Sequence, residues 1–513
     1  MIRALCCLLL AGLALACAAA PPKTLRYAFP VAETSFDPAQ ISDLYSRTVA
    51  AGIFDAPLEF AFMARPFQLR PNTAVAMPEV SADFRSFTIR IQPGIHFDDD
   101  SAFGGRKREL TAADYVYSIK RHYDPRWKSG NLYILEGAKI LGLSELRKQA
   151  VDGNKPFDYD TEAEGLRALD RYTFRILLAE PSPRFLYNLA DGSFTGALAR
   201  EVVDAYGDKV GEHPVGTGPF RLAQWKRSSR MLLQKNPNYR EVLYDEQPPA
   251  DDARLQAIAA RFKGRRLPMI DEVQISVIEE AQPRWLSFLN GEQDLLEGVP
   301  GEFANIAIPN NQLAPNLAKR GIGMLRVPRA DVAVTYFGMD NPVVGGTAPD
   351  KVALRRAISL AVDVEREILL VRRGQAVPAQ SPIAPGTWGY DPAFRSEMGE
   401  HSLARAKALL QHKDFSLRNP NRVRSLLVAL CRDNPAAFHR ADASGYVFWA
   451  ERLIELDAIN PSVAGRLARV MDRWSHLAEP YRSAAREAIA RVAARNELST
   501  EVREIINRAL ESA

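Results

Sequence analysis

Strand-like alternation of apolar and polar residues runs through most of this chain and stops at Asp414, and one core cannot serve both sides of that change. Upstream, "FRSFTIRIQPGIHF" sets Phe87, Ile89 and Ile91 on one face, as a half-buried strand requires. "TLRYAFP", "RYTFRILLAEPSP", "EVQISVIEE" and "DVAVTYFGMD" read as further strands. Between them, "LTAADYVYSIKRHYD" predicts a helix with Thr111 as N-cap and Asp114 closing an acidic variant of the capping box. "AQPRWLSFLNGEQDLLEG" predicts a helix closed by Gly291, and "DKVALRRAISLAVDVEREILLVRRG" one that ends at Gly374. This irregular alternation is that of a mixed α/β protein. Downstream, "PNRVRSLLVALCRDN", "GYVFWAERLIELDAIN", "PSVAGRLARVMDRWSHL", "PYRSAAREAIARVAARN" and "STEVREIINRALES" carry apolar residues at helical spacing only. Pro420, Pro461 and Pro480 stand near helix starts, where a missing N–H costs little. These segments predict an all-α stack, a piece of a solenoid. A length of 513 residues requires such a division, because one core stops growing well short of it.

The net charge of +4 is small for this length, so neither a nucleic-acid role nor a membrane-surface role follows from it. Cys6, Cys7 and Cys17 crowd the amino terminus and leave Cys431 alone in the rest, which excludes a cysteine zinc site and makes an internal disulfide unexpected. "MIRALCCLLLAGLALACAAAPPK" has a basic start at Arg3, an apolar run from Ala4 and small residues around Cys17, the pattern of a secretory leader too short for a membrane span. "LALAC" resembles a lipoprotein box in which Ala14 and Leu15 are interchanged. Two outcomes stay open: a lipid anchor on Cys17, or plain cleavage after Ala16 or Ala18. The expected location is the periplasm, with or without that anchor.

"ETSFDPA", "SFTIRIQPGIHFDDDSAFGGRKRELTAADYVYSIKR", "PVGTGPFRLAQWKRSSRMLLQKNPNYR", "LSFLNGEQDL", "LRRAISLAVDVEREILL" and "SPIAPGTWGYDP" are spread, in that order, over residues 24 to about 411. Together they resemble the family 5 extracellular solute-binding proteins, the receptors of oligopeptide and dipeptide ABC importers. The third is the most specific, holding Gly216, Thr217, Gly218, Pro219 and the pair Asn236 and Tyr239. The resemblance implies two α/β lobes closing on a ligand: lobe one over 24–58 and 170–322, an inserted α/β domain over 59–169, and lobe two from 323. It places Ser42, Asp43, Leu44 and Tyr45 where family members contact ligand. Trp388 and Tyr390, aromatic in a Pro/Gly loop, either wall the cleft or pack in a core. The implied partners are a peptide or related small solute and the importer's membrane subunits, with no cofactor. "GTGPF" supplies glycines for a tight turn with little bulk, a structural use before a ligand-binding one. The three adjacent carboxylates of "FDDDS" read as a solvated turn rather than a metal loop.

One departure is large. The family continues for well over a hundred residues past the "AKALL" helix, completing lobe two and supplying the carboxylate and arginine that meet a peptide's charged ends; here that stretch is replaced. Residues 413–513 instead resemble the carboxy-terminal end of the M1 zinc peptidases of the bacterial aminopeptidase N type, through "DFSLRNPNRVRSLLVAL", "NPAAFHRADASGYVFWAERLIELDAINPSVAGRLAR" and "MDRWSHLAEPYRSAAREAI". Arg424 and Arg466 match arginines that line that family's channel, although ordinary surface or packing arginines explain them as well. Catalysis would need H-E-x-x-H, and His96, His122, His213, His401, His412, His439 and His476 include no pair four apart.

The expected fold is therefore an α/β two-lobed periplasmic-binding-protein fold of type II with a truncated second lobe over 323–411, followed by an all-α helical block. The expected activity is solute binding, with no catalytic or metal residues. The alternative is an aminopeptidase-related fragment or a chimera in which neither part functions. "ARAKALLQHKDFSLRNPNRVRSLL", residues 404–427, is the seam.

Overall fold

The computed structural model describes residues 21–397, 399–410, 427, 431, 432 and 438–511. Cys17 and the leader, Arg424, Pro420 and most of the seam lie outside the described residues. The chain divides into two compact units, residues 1–300 and 301–513.

The first unit is built on two four-stranded sheets. In one, Thr24–Phe29 runs parallel to Glu272–Val277, which pairs antiparallel with Arg230–Lys235, itself antiparallel to Phe220–Lys226. The register sets Tyr27 beside Ile275 and Ile275 beside Met231. Strands 248 residues apart in sequence thus close one sheet, as Thr24 and Glu272 do at its end. The other sheet is antiparallel throughout, in the order Glu79–Val80, Ser86–Arg90, Thr173–Leu177, Leu166–Ala168. Phe87 opposes Ile176 and Ile89 opposes Phe174, and all four are buried, so the alternation read from the sequence is the core-facing register. The helix Ala112–Tyr123 lies against this sheet and begins as expected: the backbone N–H of Thr111 donates to Asp114 at 2.7 Å and its hydroxyl to the same oxygen at 2.9 Å. The helix Ala281–Leu289 ends two residues before Gly291, just past its cap at Asn290, and the φ of +76° at Gly291 favours a residue without a Cβ.

In the second unit, two expectations are corrected. "DVAVTYFGMD" forms no strand: residues 331–338 carry no regular structure, and Val334 and Tyr336 are exposed. A strand needs a neighbour to bond its alternate N–H and C=O groups, and among the described residues of 301–511 there is no other strand. The single helix expected to end at Gly374 is two, Pro349–Ala361 and Val364–Leu370. Val362 turns extended, and the Asp363 carboxylate accepts the N–H of Arg366 at 3.0 Å, so the aspartate that fits the helical pattern serves as a new N-cap.

Helices Pro349–Ala361 and Leu403–Leu410 pack through Ala357, Leu360, Ala361 and Ala406. A separate core joins Ser444–Asp457, Pro461–Ala468, Tyr481–Ala493 and Thr500–Glu511 around Trp449, Leu453, Leu467, Ile489 and Ile506. Its two buried tryptophans keep their N–H groups bonded, Trp449 to the Leu467 carbonyl at 2.9 Å and Trp474 to the Ala509 carbonyl at 2.7 Å. Pro461 occupies the first turn of its helix and Pro480 the N-cap of the next, as the spacing predicts. Lys407 spans the two clusters, its Nζ standing 5.1 Å from the centroid of the Phe448 ring.

Candidate functional site

The loop "ETSFDPAQISDLYS" is held at several points. At its start, Asp37 accepts from the two terminal guanidinium nitrogens of Arg121, at 2.6 and 2.9 Å, with side-chain exposures of 0% and 1%. The guanidinium also lies 4.2 Å above the Trp127 ring. In the middle, the Asn131 amide donates to the Ile41 carbonyl at 2.8 Å and accepts from Arg47 at 3.0 Å. At its end, Asp43 caps the helix Leu44–Ala50: one carboxylate oxygen accepts the Ser46 N–H at 2.8 Å, the other the Thr34 hydroxyl at 2.6 Å. Partial burial pushes the Asp43 carboxyl upward, but the hydrogen bonds from Ser46 and Thr34 outweigh it and hold the group below the ordinary carboxylate range.

The four expected contact residues therefore differ in kind. Ser42 and Leu44 are exposed on this braced loop. Tyr45 is half-buried with its ring 4.8 Å from that of Phe29, and Asp43 is committed to its cap. Trp388 and Tyr390 stand in the second unit, in a turn where the Thr387 hydroxyl donates to the Ala384 carbonyl at 2.6 Å. Trp388 is 61% exposed and Tyr390 40%, so neither is the core residue that was one of the two readings. Ser42 to Tyr45 form one group and Trp388 with Tyr390 another, in different units.

The sequence motifs did not disclose the Asp37–Arg121 pair, although both residues lie in stretches that carry the resemblance. An arginine followed by histidine on the inner face of an amphipathic helix was the available signal. That histidine, His122, is buried: its Nε2 lies 2.9 Å from the Phe194 carbonyl and its Nδ1 2.8 Å from the Ser129 hydroxyl. A carbonyl only accepts, so Nε2 carries the proton and Nδ1 accepts from Ser129. Burial pushes His122 down to about 4, helped by the neighbouring Arg121 charge, against the Phe194 hydrogen bond. The unfolded chain binds that proton near pH 6.5, so the contribution is complete above that pH and is lost as pH falls through about 4. The expected loss over the window is about 3 kcal/mol. Denaturant titrations between pH 7 and 4.5 check it: His122→Gln should show a flatter slope than the parent, and equal slopes would refute the assignment.

"GTGPF" proves structural. A Cβ on Gly216 would sit 2.0 Å from the Ile53 carbonyl oxygen and one on Gly218 2.6 Å from it, while Gly192 and Gly196, at the two ends of the short helix Gly192–Thr195, press on Phe54. Beside this crossing, the Asp55 carboxylate accepts from Arg240 at 2.6 Å and from Thr217 at 2.9 Å. The "FDDDS" carboxylates diverge. Asp98 faces Arg221 at 4.0 Å, Asp99 accepts from Lys107 and Asn238, and Asp100 caps a short turn and accepts from Tyr206. Among the described residues no group of three or more His, Cys, Asp or Glu side chains is placed to hold a metal ion. No described helix is long and apolar enough to cross a membrane.

Residues 68–443 match the bacterial extracellular solute-binding proteins, family 5 middle. Residues 395–511 match an ARM-repeat domain of unknown function, DUF3458_C. The matches overlap over 395–443, across the expected junction. The chain is 25% identical over 379 residues to the glutathione-binding protein GsiB of Pectobacterium atrosepticum, covering 71% of this chain and 58% of that one. It thus spans less than two thirds of that relative's length. It is 40% identical over 108 residues to aminopeptidase N of Escherichia coli, which is 21% of this chain and 12% of that enzyme. The periplasmic binding protein DppA from Helicobacter pylori, in complex with peptide STSA, superposes with a TM-score of 0.56 at 20% identity, over 95% of this chain and 90% of that one. The fold is that of the type II periplasmic binding proteins, with packed helices at the carboxy-terminal end.

Proposed function

Because the chain belongs to the family 5 bacterial extracellular solute-binding proteins, we propose that it is a periplasmic receptor of an ABC importer for short peptides or a related small solute, in a truncated form joined to a non-catalytic aminopeptidase-type tail. The observation that carries this reading is the braced loop 33–46, which holds Ser42 and Leu44 outward on a buried ion pair, a cap and an amide clamp. Such pre-organisation lowers the ordering cost of binding a small ligand. Ser42, Leu44 and Tyr45 would touch solute with Asp43 holding their geometry, and the exposed rings of Trp388 and Tyr390 would supply aromatic contacts. The sheet of 24–29, 220–226, 230–235 and 272–277 supports the lobe-one assignment over 24–58 and 170–322. The insert at 59–169 and the partial lobe two at 323–411 belong to the same reading. So do export, with either lipidation of Cys17 or plain cleavage after Ala16 or Ala18, and docking on the importer's membrane subunits.

A second reading has its own observation. The segment 331–338, expected as a lobe-two strand, pairs with no strand among the described residues, which favours a chimera whose binding half is damaged. The tail has no paired histidines for zinc, so hydrolysis is not expected from it.

Titration calorimetry of the full chain against dipeptides, longer peptides, sugars and opines separates the readings. Peptide affinity is expected to be weak, because one missing charged partner costs about 1.5–3 kcal/mol, up to a hundredfold. Micromolar or tighter peptide binding would show that the site is rebuilt. Preference for a sugar or opine would remove the peptide class, and silence with every solute would favour the chimera. Chelator-sensitive turnover of aminoacyl anilides would overturn the non-enzymatic assignment of the tail.

A further inference from the structure

The stretch "RFKGRR", residues 261–266, carries Arg261, Lys263, Arg265 and Arg266, and all four are exposed. It closes the helix Ala253–Phe262, turns at Gly264 with a φ of +75°, and enters the strand Arg266–Leu267, which pairs antiparallel with Val242–Leu243. The carbonyls at a helix C-terminus attract cations, which accounts for Arg261 and Lys263. Arg265 and Arg266 lie beyond the last turn, where that attraction has faded.

The surrounding carboxylates do not balance this charge. Lys263 faces Asp245 at 3.9 Å, and no carboxylate stands at ion-pair distance from Arg261, Arg265 or Arg266 among the described residues. Glu246 is taken by Arg70 at 2.7 Å and its side chain is 4% exposed. Asp252 caps the far end of the helix, about 15 Å away along its axis. Glu241 is exposed one residue outside the strand pair. The guanidinium carbons of Arg261 and Arg265 lie 5.3 and 5.4 Å from the centroid of one half-buried ring, Phe262, which gathers both charges around it. Leu243, the register partner of Arg266, is 52% exposed and sets an apolar side chain beside the cations. Cations mixed with exposed apolar groups suit the boundary between lipid headgroups and acyl chains.

The chain path favours a membrane over an acidic protein as the partner. The Lys23 N–H donates to the Asp271 carboxylate at 2.8 Å, and the Asp271 N–H donates to the Lys23 carbonyl at 2.8 Å. Asp271 follows Arg266 by five residues, a reach of at most about 18 Å. The amino-terminal stretch that holds Cys17 therefore joins the first unit close to this basic surface. For a chain carried across a membrane by that stretch, or held to one at Cys17, this is the side nearest the lipid.

We propose that Arg261, Lys263, Arg265 and Arg266 form a docking surface for anionic phospholipid headgroups. It uses no residue of the solute site, so failure of either assignment leaves the other untouched.

Cosedimentation of the full chain with vesicles tests this, using Cys17→Ser so that no acyl group contributes. Vesicles of phosphatidylglycerol mixed with phosphatidylcholine should retain the protein, phosphatidylcholine alone should not, and added salt should release it. Each cation near a charged surface contributes about fivefold, so Arg265→Gln with Arg266→Gln should weaken retention about tenfold or more. Arg261→Gln with Lys263→Gln, on the helix side, should do the same, which keeps the test independent of the strand. Lys148→Gln with Lys155→Gln removes the same charge from exposed positions elsewhere in the first unit and should leave retention unchanged. Equal retention on neutral vesicles, indifference to salt, equal weakening by the Lys148 and Lys155 control, or no weakening by either pair within 261–266 would each overturn the proposal. Tighter binding to soluble polyglutamate than to anionic vesicles would assign the surface to an acidic protein and overturn it as well.

Discussion

Arg121→Met is expected to destabilise the first unit by about 3–5 kcal/mol, because it leaves the Asp37 carboxylate buried without its countercharge. Methionine keeps much of the contact with Trp127 and the length of the arginine stem, so the loss reports the charge rather than a cavity. The double variant Asp37→Leu with Arg121→Met removes both charges and should recover most of the loss, since a buried ion pair is worth little over a well-packed apolar pair of similar volume. Denaturant unfolding of the parent, both single variants and the double variant measures the coupling. A single-variant loss below about 1 kcal/mol would mean that solvent reaches Asp37, contrary to its complete burial. The consequence for binding is specific. Asp37 anchors the start of the loop that presents Ser42 and Leu44, so loosening it should weaken solute affinity even where the chain remains folded.

Gly216→Ala is expected to cost about 3 kcal/mol or more, an unusually large effect for adding one methyl group. Its Cβ would lie 2.0 Å from the Ile53 carbonyl oxygen and 2.7 Å from the carbonyl carbon, and backbone cannot rotate aside as a side chain would. Neither neighbour can retreat freely: the Gly218 N–H bonds the Ile53 carbonyl at 2.8 Å, and the Gly216 carbonyl accepts from the Asp98 N–H at 2.9 Å. Gly137→Ala is the matched contrast. That glycine sits in the helix Leu132–Ala138 with nothing within 4 Å of a built Cβ, so alanine should be neutral or stabilise by about 0.5–1 kcal/mol. Thermal or denaturant unfolding should therefore show a large loss for Gly216→Ala and none for Gly137→Ala. Comparable losses at both positions would show that the close crossing at Ile53 does not govern the "GTGPF" requirement for glycine.

Local patterning was a sound guide where one neighbour sufficed. The Thr111 and Asp114 pair, the Gly291 stop and the Phe87, Ile89, Ile91 face all depend on residues within a few positions, and all are found. The same patterning failed at 331–340, which has the composition of a strand and none of its structure. It also missed the break at Asp363, since the helical spacing continues through a residue whose side chain prefers to cap. For the candidate site, the motif located the loop at Ser42 to Tyr45 but could not tell a contact from a brace. Asp43 and Leu44 are adjacent in sequence, yet one is spent on Ser46 and Thr34 and the other faces solvent.

By itself the sequence determined the division into an α/β part and a helical part, because hydrophobic period is a local property that survives without knowledge of partners. It also determined the family, through motifs whose glycines and prolines fix backbone shape. Only the tertiary structure decided what those motifs are for. Gly216 is required because Ile53, 163 positions away, passes against it, and Asp37 is buried because Arg121 arrives to meet it. Whether "VAVTYF" became a strand was likewise not its own property, since a strand is completed by the hydrogen bonds of a neighbour, and none pairs with it among the described residues.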